Sequence, residues 1–129
     1  MATFQRFEDI VAWQKARELS KKVYSVSARG KFSGDYGLKD QIRRASVSAM
    51  SNIAEGFERD GNKEFVYFLA IAKGSVGELR SQLYIALDQE YVKPEEHTDL
   101  MSLATETGRM IAGLMMYISG ANQKGKRFK

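Results

Sequence analysis

Between Leu38 and Arg59 the chain carries two stripes at helical spacing, and this pairing constrains the fold more than any other feature. Leu38, Ile42, Ala45, Ala49 and Ile53 recur every three or four residues, so a helix presents them as one apolar seam to a core. Gln41, Arg44, Ser48, Asn52, Glu55 and Arg59 recur with the same spacing and line a flank of that seam. Such a flank is either a solvated face or a polar network that fixes packing against a specific partner.

Three more segments read the same way. The first helix is expected over about residues 8–29, with Ala12, Ala16, Leu19, Val23 and Val26 as its seam and Ile10 and Trp13 widening it. Gly30 serves as its C-cap and Lys31 to Asp35 form a loop, after which Asp35 caps a second helix of about residues 36–59. Asp60-Gly61-Asn62 makes so short a link that the third helix, about residues 63–90, must return antiparallel beside the second. It buries Phe65, Phe68, Leu69, Ala72, Val76, Leu79, Leu83 and Ala86; Gly74 and Gly77 inside it cost about 1 kcal/mol each against Ala, and they read either as sites of close approach by another helix or as a tolerated defect. Pro94 opens the fourth helix, about residues 94–119, whose seam is Leu100, Leu103, Thr107, Met110, Ile111, Leu114 and Ile118. The reading is a single all-α domain over residues 1–120, an up-down-up-down antiparallel four-helix bundle, followed by a disordered basic tail, residues 121–129.

A single Pro and no Cys favour uninterrupted helices and exclude disulfides and thiolate metal sites. The start lacks the apolar run of a secretory signal and no stretch is long and apolar enough to span a bilayer, so a soluble, cytoplasmic protein without membrane contact is expected. The net charge is +4, and Lys124, Lys126, Arg127 and Lys129, with no acid beyond residue 119, account for all of it. Residues 1–119 are therefore formally neutral. Lys15, Lys22 and Arg29 recur every seven residues, broken by Glu18, and give the first helix a weakly basic outer face.

Phe7-Glu8-Asp9-Ile10 with Trp13, Gln41 to Ala45, Ser48, Asn52-Ile53-Ala54-Glu55-Gly56 with Arg59, and Gly74-Ser75 followed by Glu78-Leu79 together resemble the 23S rRNA intervening-sequence family. These are small bacterial helical bundles encoded within intervening sequences of large-subunit ribosomal RNA genes. The resemblance runs from Phe7 to about Ile118. It implies a four-helix bundle assembled as a ring-like homopentamer, with no activity attached. The family is also similar in fold to the accessory protein of diversity-generating retroelements, a basic pentamer that binds nucleic acid and works with a reverse transcriptase. The neutral folded part of this chain departs from that basic type.

Catalytic groups are scarce. The one His, His97, follows Glu95 and Glu96 at a helix start where exposure is expected, and no Glu-x-x-His pair or phosphate loop is present. No enzyme activity, cofactor or metal is expected. Ser75, Glu78 and Gln82 form a second polar stripe, which antiparallel packing brings to Arg44, Ser48, Asn52 and Glu55, with an Arg44–Glu78 ion pair expected. The set reads as a register-setting network within or between subunits, as an anion or substrate site, or as a solvated face.

Two functions compete. In one, the protein is a nucleic-acid-binding accessory factor that uses phosphate-directed contacts to RNA or DNA from the tail and from Lys15, Lys22 and Arg29, multiplied by assembly. In the other, it is an adaptor for protein partners. Tyr67, Tyr84, Tyr91, Met115, Met116 and Tyr117 exceed what one bundle seam needs, which points to a subunit interface.

Overall fold

The computed structural model describes residues 4–123. Among them there are only helices: a 3-10 turn Phe7–Asp9, then α1 (Val11–Ser27), α2 (Gly30–Gly34), α3 (Tyr36–Glu58), α4 (Asn62–Asp88) and α5 (Pro94–Gln123). The four long helices pack in a cycle, α1 on α3, α3 on α4, α4 on α5 and α5 on α1.

Neighbouring helices run antiparallel, as the pairing of early with late residues shows. Across α3 and α4, Ser48 meets Ser75 and Gln41 meets Gln82. Across α1 and α3, Ser20 meets Ser46 while Ser27 meets Arg43. Lys15 reaches Glu106 and Arg29 reaches Glu96 between α1 and α5.

The seams close as their spacing dictates. Ala12, Ala16, Leu19 and Val23 of α1, Ile42, Ala45, Ala49 and Ile53 of α3, Leu69, Leu79 and Leu83 of α4, and Ile111 and Ile118 of α5 are all buried in one core. Full burial of a Leu or Ile side chain contributes about 1.5–3 kcal/mol, so these seams supply most of the driving force.

Several ends differ from the sequence reading. Residues 31–34 are not a loop: α2 places Phe32 fully in the core, where Tyr91 stacks on it with ring centroids 5.1 Å apart. Gly30, at φ +48°, makes the left-handed turn between α1 and α2. The Asp35 carboxylate accepts from the Leu38 amide at 3.1 Å and caps α3. α5 continues to Gln123, so residues 121–123 are helical and not part of a disordered tail. The expectation of disorder for residues 124–129 lies outside the described residues.

Gly56, in the Asn52 to Gly56 block, is buried where α3 meets the start of α4. A Cβ there would stand 2.9 Å from Phe68 Cβ, 3.0 Å from Phe65 Cδ1 and 3.1 Å from the Phe65 carbonyl oxygen. The missing side chain sets how closely the two helices approach. Gly56→Ala should therefore destabilise the fold by about 1–3 kcal/mol through overpacking, against the gain of about 1 kcal/mol that Ala brings to an open helix position. Urea denaturation measures this, and a stabilised variant would show that the helices have room to part.

Candidate interaction site

The antiparallel packing of α3 on α4 brings part of the polar stripe together. Ser48 Oγ and Ser75 Oγ lie 2.7 Å apart across the helix pair. Asn52 Nδ2 donates to Ser48 Oγ at 3.0 Å and to the Ser48 carbonyl at 2.9 Å. Two turns beyond Ser75, Gln82 is buried and donates from Nε2 to Gln41 Oε1 at 3.5 Å. Ser48, Ser75 and Asn52 are each half-buried, so these bonds form at the edge of the core, where net gains of about 0.5–1.5 kcal/mol per bond are usual.

The charged members of the stripe do not join this network. The expected Arg44–Glu78 ion pair is absent: Arg44 Nε bonds Asp40 Oδ2 at 2.9 Å, one turn back on its own helix. Local geometry decides this, because residues four apart on one helix are already neighbours, whereas a cross-helix pair must order two long side chains. Glu78 is exposed, and like Arg44 it lines a small concavity with Gln41, Ser48 and Ser75. Arg59 similarly bonds Glu55 at 2.9 Å and lies over the Phe68 ring at 5.0 Å.

The basic residues of α1 are divided. Lys15 Nζ stands 3.4 Å from Glu106 and 3.9 Å from Glu18, and Arg29 holds Glu96 at 2.7 Å. Lys22 alone of the three is exposed without a partner among the described residues. Ion pairs thus occupy Lys15 and Arg29, whereas Arg17, Lys21 and Lys22 of α1 have no acidic partner among the described residues. Lys124, Lys126, Arg127 and Lys129 lie outside the described residues.

Glu96 also starts α5. Its Oε1 accepts from the Lys93 backbone amide at 2.9 Å, one arm of a capping box, and Pro94 at the first helical position loses nothing by lacking an amide hydrogen. The Lys93 amide and the Arg29 guanidinium hold the Glu96 carboxyl below its usual pKa. Tyr91 Oη donates to Asp35 Oδ2 at 2.9 Å, and that bond to a carboxylate raises the phenol's pKa. These contacts tie one end of the bundle together.

His97 is not exposed as its acidic neighbours suggested. It is 8% accessible and lies against Tyr84, with ring centroids 5.1 Å apart. The apolar spacing that continues from Leu100 back to residue 97 carried this signal. Among the described residues no group of His, Asp or Glu has the arrangement of a metal site, and no helix is long and apolar enough to cross a membrane.

Sequence reasoning did not resolve the outer face of α4. Among the described residues no other helix comes within 4 Å of where a Cβ at Gly74 or Gly77 would stand, so the close approach expected there is not made. Helical spacing groups Gly74 with Tyr67, Ala70, Ile71, Glu78, Ser81 and Ile85 on one solvent-facing strip, and Gly77 lies at its edge toward α5. Tyr67 is 62% exposed, Ile85 47% and Ile71 37%. Tyr84 and Met116 are also exposed, whereas Tyr91, Met115 and Tyr117 pack against the core.

Helix order, antiparallel packing and the polar α3–α4 seam define a small all-α bundle. The chain belongs to the 23S rRNA-intervening sequence protein family, whose profile matches residues 8–113. No curated protein matches it. Among solved structures it is similar to a protein of unknown function from the S23 ribosomal protein family of Bacteroides thetaiotaomicron. The two share 20% identity and superpose with a TM-score of 0.74, over 81% of this chain and 97% of the other. At that identity the likeness concerns the fold.

Two expectations follow. Glu78→Ala should change stability by no more than about 0.5 kcal/mol, because an exposed, unpaired carboxylate leaves nothing broken behind; a loss of several kcal/mol on denaturation would restore the cross-helix ion pair. Glu96→Gln should lower the melting temperature at neutral pH. Since the folded pKa of Glu96 is depressed, its contribution is present above the ordinary carboxylate range and fades as pH falls through the folded value. Melting temperatures of the two proteins should converge in acid, and a gap that persists there would contradict the assignment.

Proposed function

We propose that the protein works without catalysis, as a homo-oligomer that gathers its basic C-terminal segments and binds nucleic-acid phosphates as an accessory factor. The observation that carries this reading is the outer strip of α4. Gly74 costs the isolated helix about 1 kcal/mol relative to Ala, and no neighbouring helix among the described residues stands close enough to offset that cost. Small residues flanked by Tyr67, Ile71 and Ile85 suit the close approach of a helix from another copy. A ring-like homopentamer, implied by the resemblance to the family, is the arrangement we adopt.

Assembly gives the charge distribution its use. Because Lys15 and Arg29 are spent on internal ion pairs, the first helix keeps only Arg17, Lys21 and Lys22 without an acidic partner. Residues 124–129 carry four cations and no acid. Bringing several such segments together raises local charge and effective concentration, which converts weak phosphate contacts into useful affinity. Contacts of this kind tolerate any sequence and weaken steeply with salt.

The test is fluorescence anisotropy with labelled RNA and duplex DNA across a salt series, using the full chain, a chain ending at Gln123, and Ile71→Glu. Micromolar binding by the full chain, loss on truncation and at least a tenfold weakening in Ile71→Glu are expected, since that variant keeps the basic segment but loses the gathering. Absence of binding by the full chain at low salt would overturn the nucleic-acid reading. It would leave the α4 strip to an adaptor that docks protein partners.

A further inference from the structure

Most of the described arginines have a partner within the fold. Arg6, Arg29, Arg44 and Arg59 face carboxylates, Arg43 bonds Ser27 Oγ and the Tyr24 carbonyl, and Arg17 lies over Trp13. Arg80 and Arg109 are the only described arginines with no hydrogen bond, ion pair or ring contact among the described residues. They share one groove. Together with Lys73, likewise unpaired, they line a concavity of about 420 Å³ between α4 and α5 that has no acidic residue in its wall.

We infer that this groove, with Lys73 and Arg80 on α4 and Arg109 on α5, is the folded domain's binding site for a nucleic-acid phosphate backbone, a site that rests on the nucleic-acid reading above. Three like charges along one acid-free groove repel each other, and an anion relieves the repulsion. The floor includes Gly77, Ala104 and Gly108, so a strand can approach the helix surfaces with the cations standing beside it. Guanidinium groups suit phosphate oxygens because their paired N–H donors match two acceptors at once.

Spacing selects a strand over a single phosphate. Lys73 and Arg80 are two helical turns apart on one flank of α4, about 10.5 Å at 1.5 Å per residue. At about 3.4 Å of axial rise per nucleotide, that length accommodates roughly three steps of one strand. The groove has no aromatic wall, so base stacking contributes nothing there and recognition is by phosphate. The site replaces Lys15 and Arg29 of the first helix, which are occupied internally.

The experiment compares the full chain with the triple variant Lys73→Gln, Arg80→Gln, Arg109→Gln and with a control, Lys31→Gln with Lys63→Gln, outside the groove. Anisotropy with a labelled single-stranded RNA is read from low to moderate salt. All five positions are exposed, so melting temperatures should match that of the parent chain. The groove variant is expected to bind at least tenfold more weakly and to flatten the log K against log salt slope by about 2, the share of three phosphate contacts on a single strand; the control should change little. If the groove variant binds like the parent while truncation at Gln123 abolishes binding, the groove is wrong and the nucleic-acid reading stands. If the full chain binds no RNA or DNA, both fall. Calorimetric binding of inorganic tripolyphosphate by a chain that ignores RNA would likewise overturn the strand assignment.

Discussion

The close antiparallel contact of α3 with α4 is the constraint on which the rest of the structure depends. Gly56 lets the start of α4 lie against α3, and Ser48 with Ser75 fixes register nearer the middle. Given that register, Ile42, Ala49 and Ile53 face Leu69, Leu79 and Leu83 across one core. A slip by one residue on either helix would rotate the seams away and leave the serines and Gln82 without their partners. Polar groups at the edge of this contact add little energy, but they select one alignment from several that are equally apolar.

The same contact decides which surface remains free. With one flank of α4 against α3 and the other toward α5, its third side is presented to solvent, and there Tyr67, Ile71, Gly74 and Ile85 stand beside the single charge of Glu78. Arginines elsewhere mostly have partners within the fold, Arg44 and Arg59 in i,i+4 pairs on α3 and Arg29 in a pair with α5. What is left over is a short list: the outer strip of α4, the acid-free groove beside α5, and the basic residues 124–129.

Periodicity made the helices and their seams legible in the sequence, because burial on a helix depends chiefly on spacing. The Asp35 cap and the short link at Gly61 were legible for the same local reasons. Contacts that depend on competition between partners were not. Arg44 lay within reach of two acids, and the one on its own helix won. Phe32, isolated between Gly30 and Gly34, carried no periodic signal, yet a single aromatic side chain drew residues 31–34 into a helical turn. His97 sat on the buried phase of α5, and its acidic neighbours masked it. The unpaired state of Arg80 and Arg109 became visible only when every other described arginine could be followed to a partner.

Self-association through the outer face of α4 is the central claim. Sedimentation velocity of the full chain, beside Ile71→Glu, tests it most directly. The account predicts a single species several times the 14.6 kDa chain mass for the parent, and a folded species of chain mass for the variant. A parent chain that sediments as a monomer at every concentration, or a variant that keeps the parent's mass, would contradict it.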